Sequence, residues 1–143
     1  MPDPGLGYDM NANTAKPKAG IMVWIGRIIT ALIGLAFGMG GVMDVLKPGF
    51  VVKGSAELGY PESCLVGMGI AVLISVVLYL LPRTTVLGAM LLTAYMGGAV
   101  ASHVRAGQGP DKFMVPVVFG VLVWIGPWLR DGRLRALAPW RFY

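Results

Sequence analysis

The stretch LPRTTVLGAMLLTAYMGGAVASHVRAG, Leu81–Gly107, decides the fold, because it is apolar enough to cross a membrane yet sets its small, polar and charged residues in one row. Counting in alternating steps of four and three from Thr84 selects Thr84, Gly88, Leu91, Tyr95, Gly98, Ser102 and Arg105, one seam along a helix. Tyr95, Ser102 and Arg105 carry groups that hydrocarbon does not solvate, and Gly88 and Gly98 let a second backbone approach. The seam is therefore expected to face partner helices.

Composition extends this reading to the whole chain. At 143 residues it is one domain by length, and 56% hydrophobic with 13% charged residues is far more apolar than a soluble domain requires. A bilayer core about 30 Å thick takes about 20 helical residues to cross. Apolar runs of that order lie at Ile21–Val45, Cys64–Leu81, Thr84–Val104 and Phe113–Leu129. They predict an all-α, integral membrane four-helix up-down bundle in the lipid bilayer. The net charge of +5 does not point to nucleic acid, because the basic residues flank the spans instead of forming a patch. Cys64 is the only cysteine and His103 the only histidine, which excludes an internal disulfide, a CxxC pair, bis-histidine haem ligation and a histidine-rich metal cage within one chain. No metal site is expected.

Residues 1–20 hold three prolines and three glycines and read as a flexible cytoplasmic arm. Residues 21–130 form the four-span domain, and 131–143 a basic aromatic interfacial tail. The segment after Lys16 and Lys18 is too long for a signal-peptide core and lacks a cleavage site, so it reads as a retained first span. In that span Arg27, Thr30, Gly34, Phe37, Gly38, Gly41 and Asp44 share an arc of about 120°. Gly34 and Gly38 have the spacing of close helix packing. Arg27 is expected about two turns inside the boundary, snorkelling outward as an anchor. Lys47-Pro48-Gly49 ends the helix, and Phe50–Glu62 is expected to lie along the interface as a short helix or re-entrant piece.

Pro61 opens the second span, whose small-residue face is Cys64, Gly67, Ala71 and Ser75. The short Pro82–Arg83 connection makes spans two and three adjacent and antiparallel. Pro116, Gly120 and Pro127 are possible kinks in span four. Trp128, Arg130, Arg133, Arg135 and Trp140 pair basic with aromatic residues as headgroup anchors. The side with both termini carries Lys16, Lys18, Arg83, Arg130, Arg133, Arg135 and Arg141, against Lys47, Lys53, Arg105 and Lys112 opposite, which predicts cytoplasmic termini.

LGYP at Leu58–Pro61, the LPRT turn at Leu81–Thr84 and GGAVASHVR at Gly97–Arg105 together resemble the DoxX-like family of small four-helix membrane proteins. The likeness runs from the first span onward and leaves out the arm and the tail. It implies a bundle in the bacterial cytoplasmic (inner) membrane. It says little about activity, although the family's founding proteins are subunits of quinone-linked oxidoreductase complexes.

No catalytic motif is present. Asp44, Glu57, Tyr60, Glu62, His103 and Arg105 gather at the outer end of the predicted bundle, with Tyr95 in the seam below them. Asp44 and Arg105 close two faces that should meet, so they are expected to approach closely or share a bridging polar group. Two functions remain open. One is an accessory or structural subunit packed against other membrane chains, with no chemistry of its own. The other is a component with a small-molecule site, in which Arg105, His103 and Tyr95 hydrogen-bond a quinone headgroup beside acidic proton acceptors.

Overall fold

The computed structural model describes residues 16–137, with side chains from 20 to 136, so most of the N-terminal arm, Trp140 and Arg141 lie outside the described residues. Six helices follow in order: α1 Lys16–Leu46, α2 Gly49–Glu57, α3 Glu62–Leu80, α4 Thr85–Arg105, α5 Pro110–Arg130 and α6 Gly132–Leu137. Four of them, α1 from Gly20 and α3, α4 and α5 whole, are long and apolar enough to cross a membrane. They close a ring in which α1 packs on α3, α3 on α4, α4 on α5 and α5 back on α1. Leu32, Leu35, Ile74, Val77 and Val121 point outward and are exposed around the bundle. Such a girdle is a lipid-facing surface. The protein is a multi-pass membrane bundle with two distinct ends: a turn end, at the α3–α4 connection, and a cap end, where α2 lies.

Small residues set the helix separations. On α1, Gly26, Thr30, Ile33, Gly34, Phe37 and Gly41 are buried at spacings of three and four. A Cβ on Gly41 would come within 3.1 Å of the Gly69 carbonyl oxygen on α3, and one on Gly26 within 2.9 Å of the Gly126 carbonyl oxygen on α5. Gly34 meets Leu80, whose Cδ2 is 2.7 Å from such a Cβ, whereas Gly38 has only an ordinary contact with Val76 at 4.0 Å. At the α3–α4 turn, a Cβ on Gly88 would run into the backbone of Tyr79. Thr84 Oγ1 closes the same turn by donating to the Leu78 carbonyl at 2.8 Å.

The seams of α3 and α4 differ in phase from the sequence reading. On α4 the buried residues are Thr85, Gly88, Ala89, Leu92 and Ser102, while Leu91 and Gly98 are exposed and a Cβ on Gly98 would meet nothing within 4 Å. Gly98 is therefore not a packing glycine. On α3 the buried row is Leu65, Gly69, Val72, Ser75, Val76 and Tyr79, and Cys64, Gly67 and Ala71 are exposed. Each helix has a neighbour on two sides, so its buried stripe is set by bulky apolar residues as much as by small ones.

Helix length sets the level of Arg27 against its neighbours. α1 has 31 residues against 19 in α3, which makes it about 46 Å long against about 28 Å. The excess extends past the turn end, since Gly26 abuts Arg130 and Leu129 at the end of α5. Arg27 accordingly stands level with the end of α5, about two turns inside the apolar span of α1 that begins at Gly20, and its guanidinium lies 5.7 Å from the Trp24 ring centroid.

Ile33, Phe37, Val72, Val76, Tyr79, Ala89, Leu92 and Val123 form the core, and Phe37 meets Phe119 edge to face at 5.9 Å. Tyr79 is fully buried and donates its hydroxyl to the Val123 carbonyl at 2.9 Å. That carbonyl would ordinarily accept the amide four residues on, but residue 127 is proline and has none. A phenol from α3 thus supplies the partner that Pro127 removes from α5.

At the cap end Lys47 takes a left-handed conformation (φ 51°), and Pro48 then opens α2, the short helix that fills the first loop. Lys47 Nζ pairs with Glu62 Oε1 at 3.2 Å, the one ion pair among the described residues. Both partners are exposed enough that the pair contributes little.

Candidate functional site at the cap end

Two polar groups meet across the diagonal of the ring. α1 carries Asp44 in its last turn, α4 carries Tyr95 in mid-helix, and Tyr95 Oη donates to Asp44 Oδ2 at 3.4 Å, a long contact for a phenol and a carboxylate. Both side chains are half-buried.

The pair stands between two clefts. One, of about 370 Å³, opens between α1, α4 and α5 and is walled by Phe37, Met96, Pro116 and Phe119, with His103 at its edge. The other, of about 410 Å³, opens between α2, α3 and α4 and is lined by Ser55, Tyr60, Leu65, Gly98 and Ser102. Asp44, Tyr95 and Ala99 line both. Each cleft is chiefly apolar, with a few polar groups aimed into it, the usual composition of a small-molecule site.

Around the pair the remaining polar side chains already have partners. Ser102 Oγ donates to the Gly98 carbonyl at 2.8 Å, which leaves Tyr60 as the donor in the 2.6 Å Tyr60–Ser102 contact. His103 Nδ1 lies 2.6 Å from Gln108 Oε1, so the ring N–H donates to that amide oxygen. Arg105 Nη2 donates to the Leu58 carbonyl at 2.9 Å, and the guanidinium stands 5.8 Å from the Tyr60 ring centroid. Gly59, with φ of 81°, turns the α2–α3 loop so that this carbonyl is presented to Arg105.

The expected Asp44–Arg105 approach is therefore not made. Asp44 meets Tyr95, and Arg105 clamps the loop that carries Leu58 and Tyr60. Glu57 is exposed at the end of α2 and lines neither cleft, and Glu62 is engaged by Lys47. Of the six candidate ligand residues, Asp44 and Tyr95 line both clefts, and Tyr60 and His103 line one each.

The sequence reading did not single out Met96, Phe119 and Ser55 as lining residues. Met96 lies one residue from Tyr95, which a correct phase for α4 would have revealed. Phe119 sits on a helix apolar on nearly every side, where no periodicity separates the lined face from the lipid face.

Chemically, Asp44 can accept hydrogen bonds and Tyr95 can donate or accept, in surroundings where the alternative to a ligand group is a poor contact between the two. Comparison with curated proteins and with solved structures finds no match to this chain. A model of the DoxX-like family matches residues 28–126, which contain the four-helix core and the polar pair between the clefts, and the chain belongs to that family.

Proposed function

We propose that this chain is an accessory membrane subunit that holds the head of an apolar, quinone-class molecule at its cap end and performs no chemistry of its own. The observation carrying this reading is the Asp44–Tyr95 pair, a long polar contact that forms the common wall of two apolar clefts. A quinone head is a flat apolar ring with carbonyl or hydroxyl groups at its edge. Phe37, Met96 and Phe119 supply a wall for the ring, Tyr95 a donor for a carbonyl, and Asp44 an acceptor for a hydroxyl. The cleft volume of about 370 Å³ fits a single head of this size. The mouth opens among lipid-facing residues, through which an apolar tail can remain in the bilayer.

Electron transfer then belongs to a partner subunit, in keeping with a chain that binds and orients. The excess of lysine and arginine at the turn end supports cytoplasmic termini in a bacterial inner membrane, with the ligand site towards the outer face. Binding of a short-tailed quinone to the purified chain, followed by quenching of tryptophan fluorescence, tests the reading. Tyr95→Phe and Asp44→Asn should each weaken binding by about tenfold, the effect of one lost hydrogen bond to a buried group. Unchanged affinity in both variants would refute it.

A further inference from the structure

The turn end carries a second cavity, unrelated to the clefts just described. It measures about 580 Å³, and three arginines from three segments line it: Arg27 on α1, Arg83 in the α3–α4 turn and Arg130 at the end of α5. The threonines Thr30 and Thr85 lie between them. One carboxylate, Asp131, is present, and its Oδ1 accepts the Arg133 amide at 2.9 Å. None of the three guanidinium groups has a carboxylate oxygen within 4.0 Å among the described residues, where the one ion pair is at the opposite end of the bundle. Their protein contacts are weak: Arg130 Nη1 reaches Thr30 Oγ1 at 3.4 Å, and Arg27 lies over Trp24.

Three cations converging on one concavity repel one another, and a low-dielectric wall strengthens that repulsion. An arrangement of this kind is relieved by an anion, and planar guanidinium forks match the oxygens of a phosphate in particular. The depth is right as well, because Arg83 and Arg130 stand where α3, α4 and α5 end and headgroups begin, and Arg27 stands level with them on the part of α1 that outruns its neighbours. Arg27 and Arg130 fall just outside residues 28–126, so the cavity draws on parts of the chain beyond the family match.

We infer that the turn-end cavity binds a phosphate group, with Arg27, Arg83 and Arg130 as its ligands and Thr30 and Thr85 closing its floor. Two sources share that chemistry: the head of an anionic phospholipid and a soluble phosphoester. Titration of the full chain in neutral detergent separates them, with phosphatidylglycerol, phosphatidylcholine and glycerol 3-phosphate as probes and native mass spectrometry and thermal unfolding as readouts. Retention of phosphatidylglycerol over phosphatidylcholine assigns the phosphate to a lipid head. Binding of glycerol 3-phosphate without a preference between lipids assigns it to a soluble ester.

In either case Arg27→Gln and Arg83→Gln should each weaken binding about fivefold, the effect of one cation near a phosphate surface. Arg83 lies on an exposed turn, so its replacement leaves the helix packing intact and keeps the test valid if a replacement of Arg130 unfolds the bundle. The double replacement Lys53→Gln with Lys112→Gln, exposed at the cap end and outside the cavity lining, should leave binding unchanged. An equal loss in that control would assign binding to diffuse surface charge and overturn the proposal. Absence of binding by all three probes would overturn it too.

Discussion

Removing the Tyr79 hydroxyl tests how the bundle tolerates a proline within a membrane helix. In Tyr79→Phe the Val123 carbonyl loses the phenol that reaches it at 2.9 Å, and Pro127 offers no amide in its place. The site is fully buried, so water cannot substitute. An orphaned buried carbonyl costs about 1–3 kcal/mol, and the ring itself still fills its space. The same change in a Pro127→Ala background should cost under about 1 kcal/mol, because the restored amide of residue 127 bonds to Val123 along the helix. The double-mutant cycle therefore predicts a coupling of about 1–2 kcal/mol, with the packing lost at Pro127 cancelling between its arms. Reversible unfolding in mixed detergent micelles measures all four species. Equal cost of Tyr79→Phe in both backgrounds would show that the phenol is not the partner Pro127 requires.

Gly88→Ala should destabilise the chain by about 1–3 kcal/mol, as its methyl group meets the Tyr79 backbone, whereas Gly98→Ala, facing open space, should be neutral or stabilising by up to about 1 kcal/mol; detergent unfolding of the pair decides. Arg105→Met should loosen the loop from Leu58 to Tyr60 without unfolding the bundle, seen as faster amide hydrogen exchange confined to that loop and the start of α3. Exchanging the charges of Lys47 and Glu62 should change stability by less than about 1 kcal/mol, and a larger loss would mean that the pair is better shielded than its exposures of 31% and 57% imply.

Run length and turn length carried the architecture. Four apolar stretches and the short Pro82–Arg83 connection fix the number of spans and make α3 and α4 neighbours, because hydrocarbon forces continuous helices and a short link forces antiparallel packing. Helix phase was less legible. On α1 the small and polar face is the buried face, but on α3 bulky residues take the buried row and leave Cys64, Gly67 and Ala71 outside. An apolar residue reads alike whether it faces lipid or protein, so in α3, α4 and α5 composition does not mark which side is the core. The relative level of the helices was not legible for a related reason: a long apolar run does not show which of its ends projects beyond its neighbours.

Charge pairing was the least legible feature, and backbone chemistry explains why. Asp44 and Arg105 were matched by sign, but Arg105 is drawn to the Leu58 carbonyl, presented where the loop turns through Gly59. The same logic sends Tyr79 to the carbonyl that Pro127 leaves open, and Thr84 to the Leu78 carbonyl at the tight turn. At these three breaks in regular helix a side chain completes the backbone, since an unpaired carbonyl is costly near hydrocarbon. Polar residues that serve these breaks are committed to the fold. Among the polar side chains that line a cavity, what remains are those whose protein contacts are long or lack opposite charge: Asp44 with Tyr95 at the cap end, and Arg27, Arg83 and Arg130 at the turn end. Sorting polar residues by whether the backbone already claims them separates structural groups from those left to meet a ligand, and it leaves one candidate site at each end of the bundle.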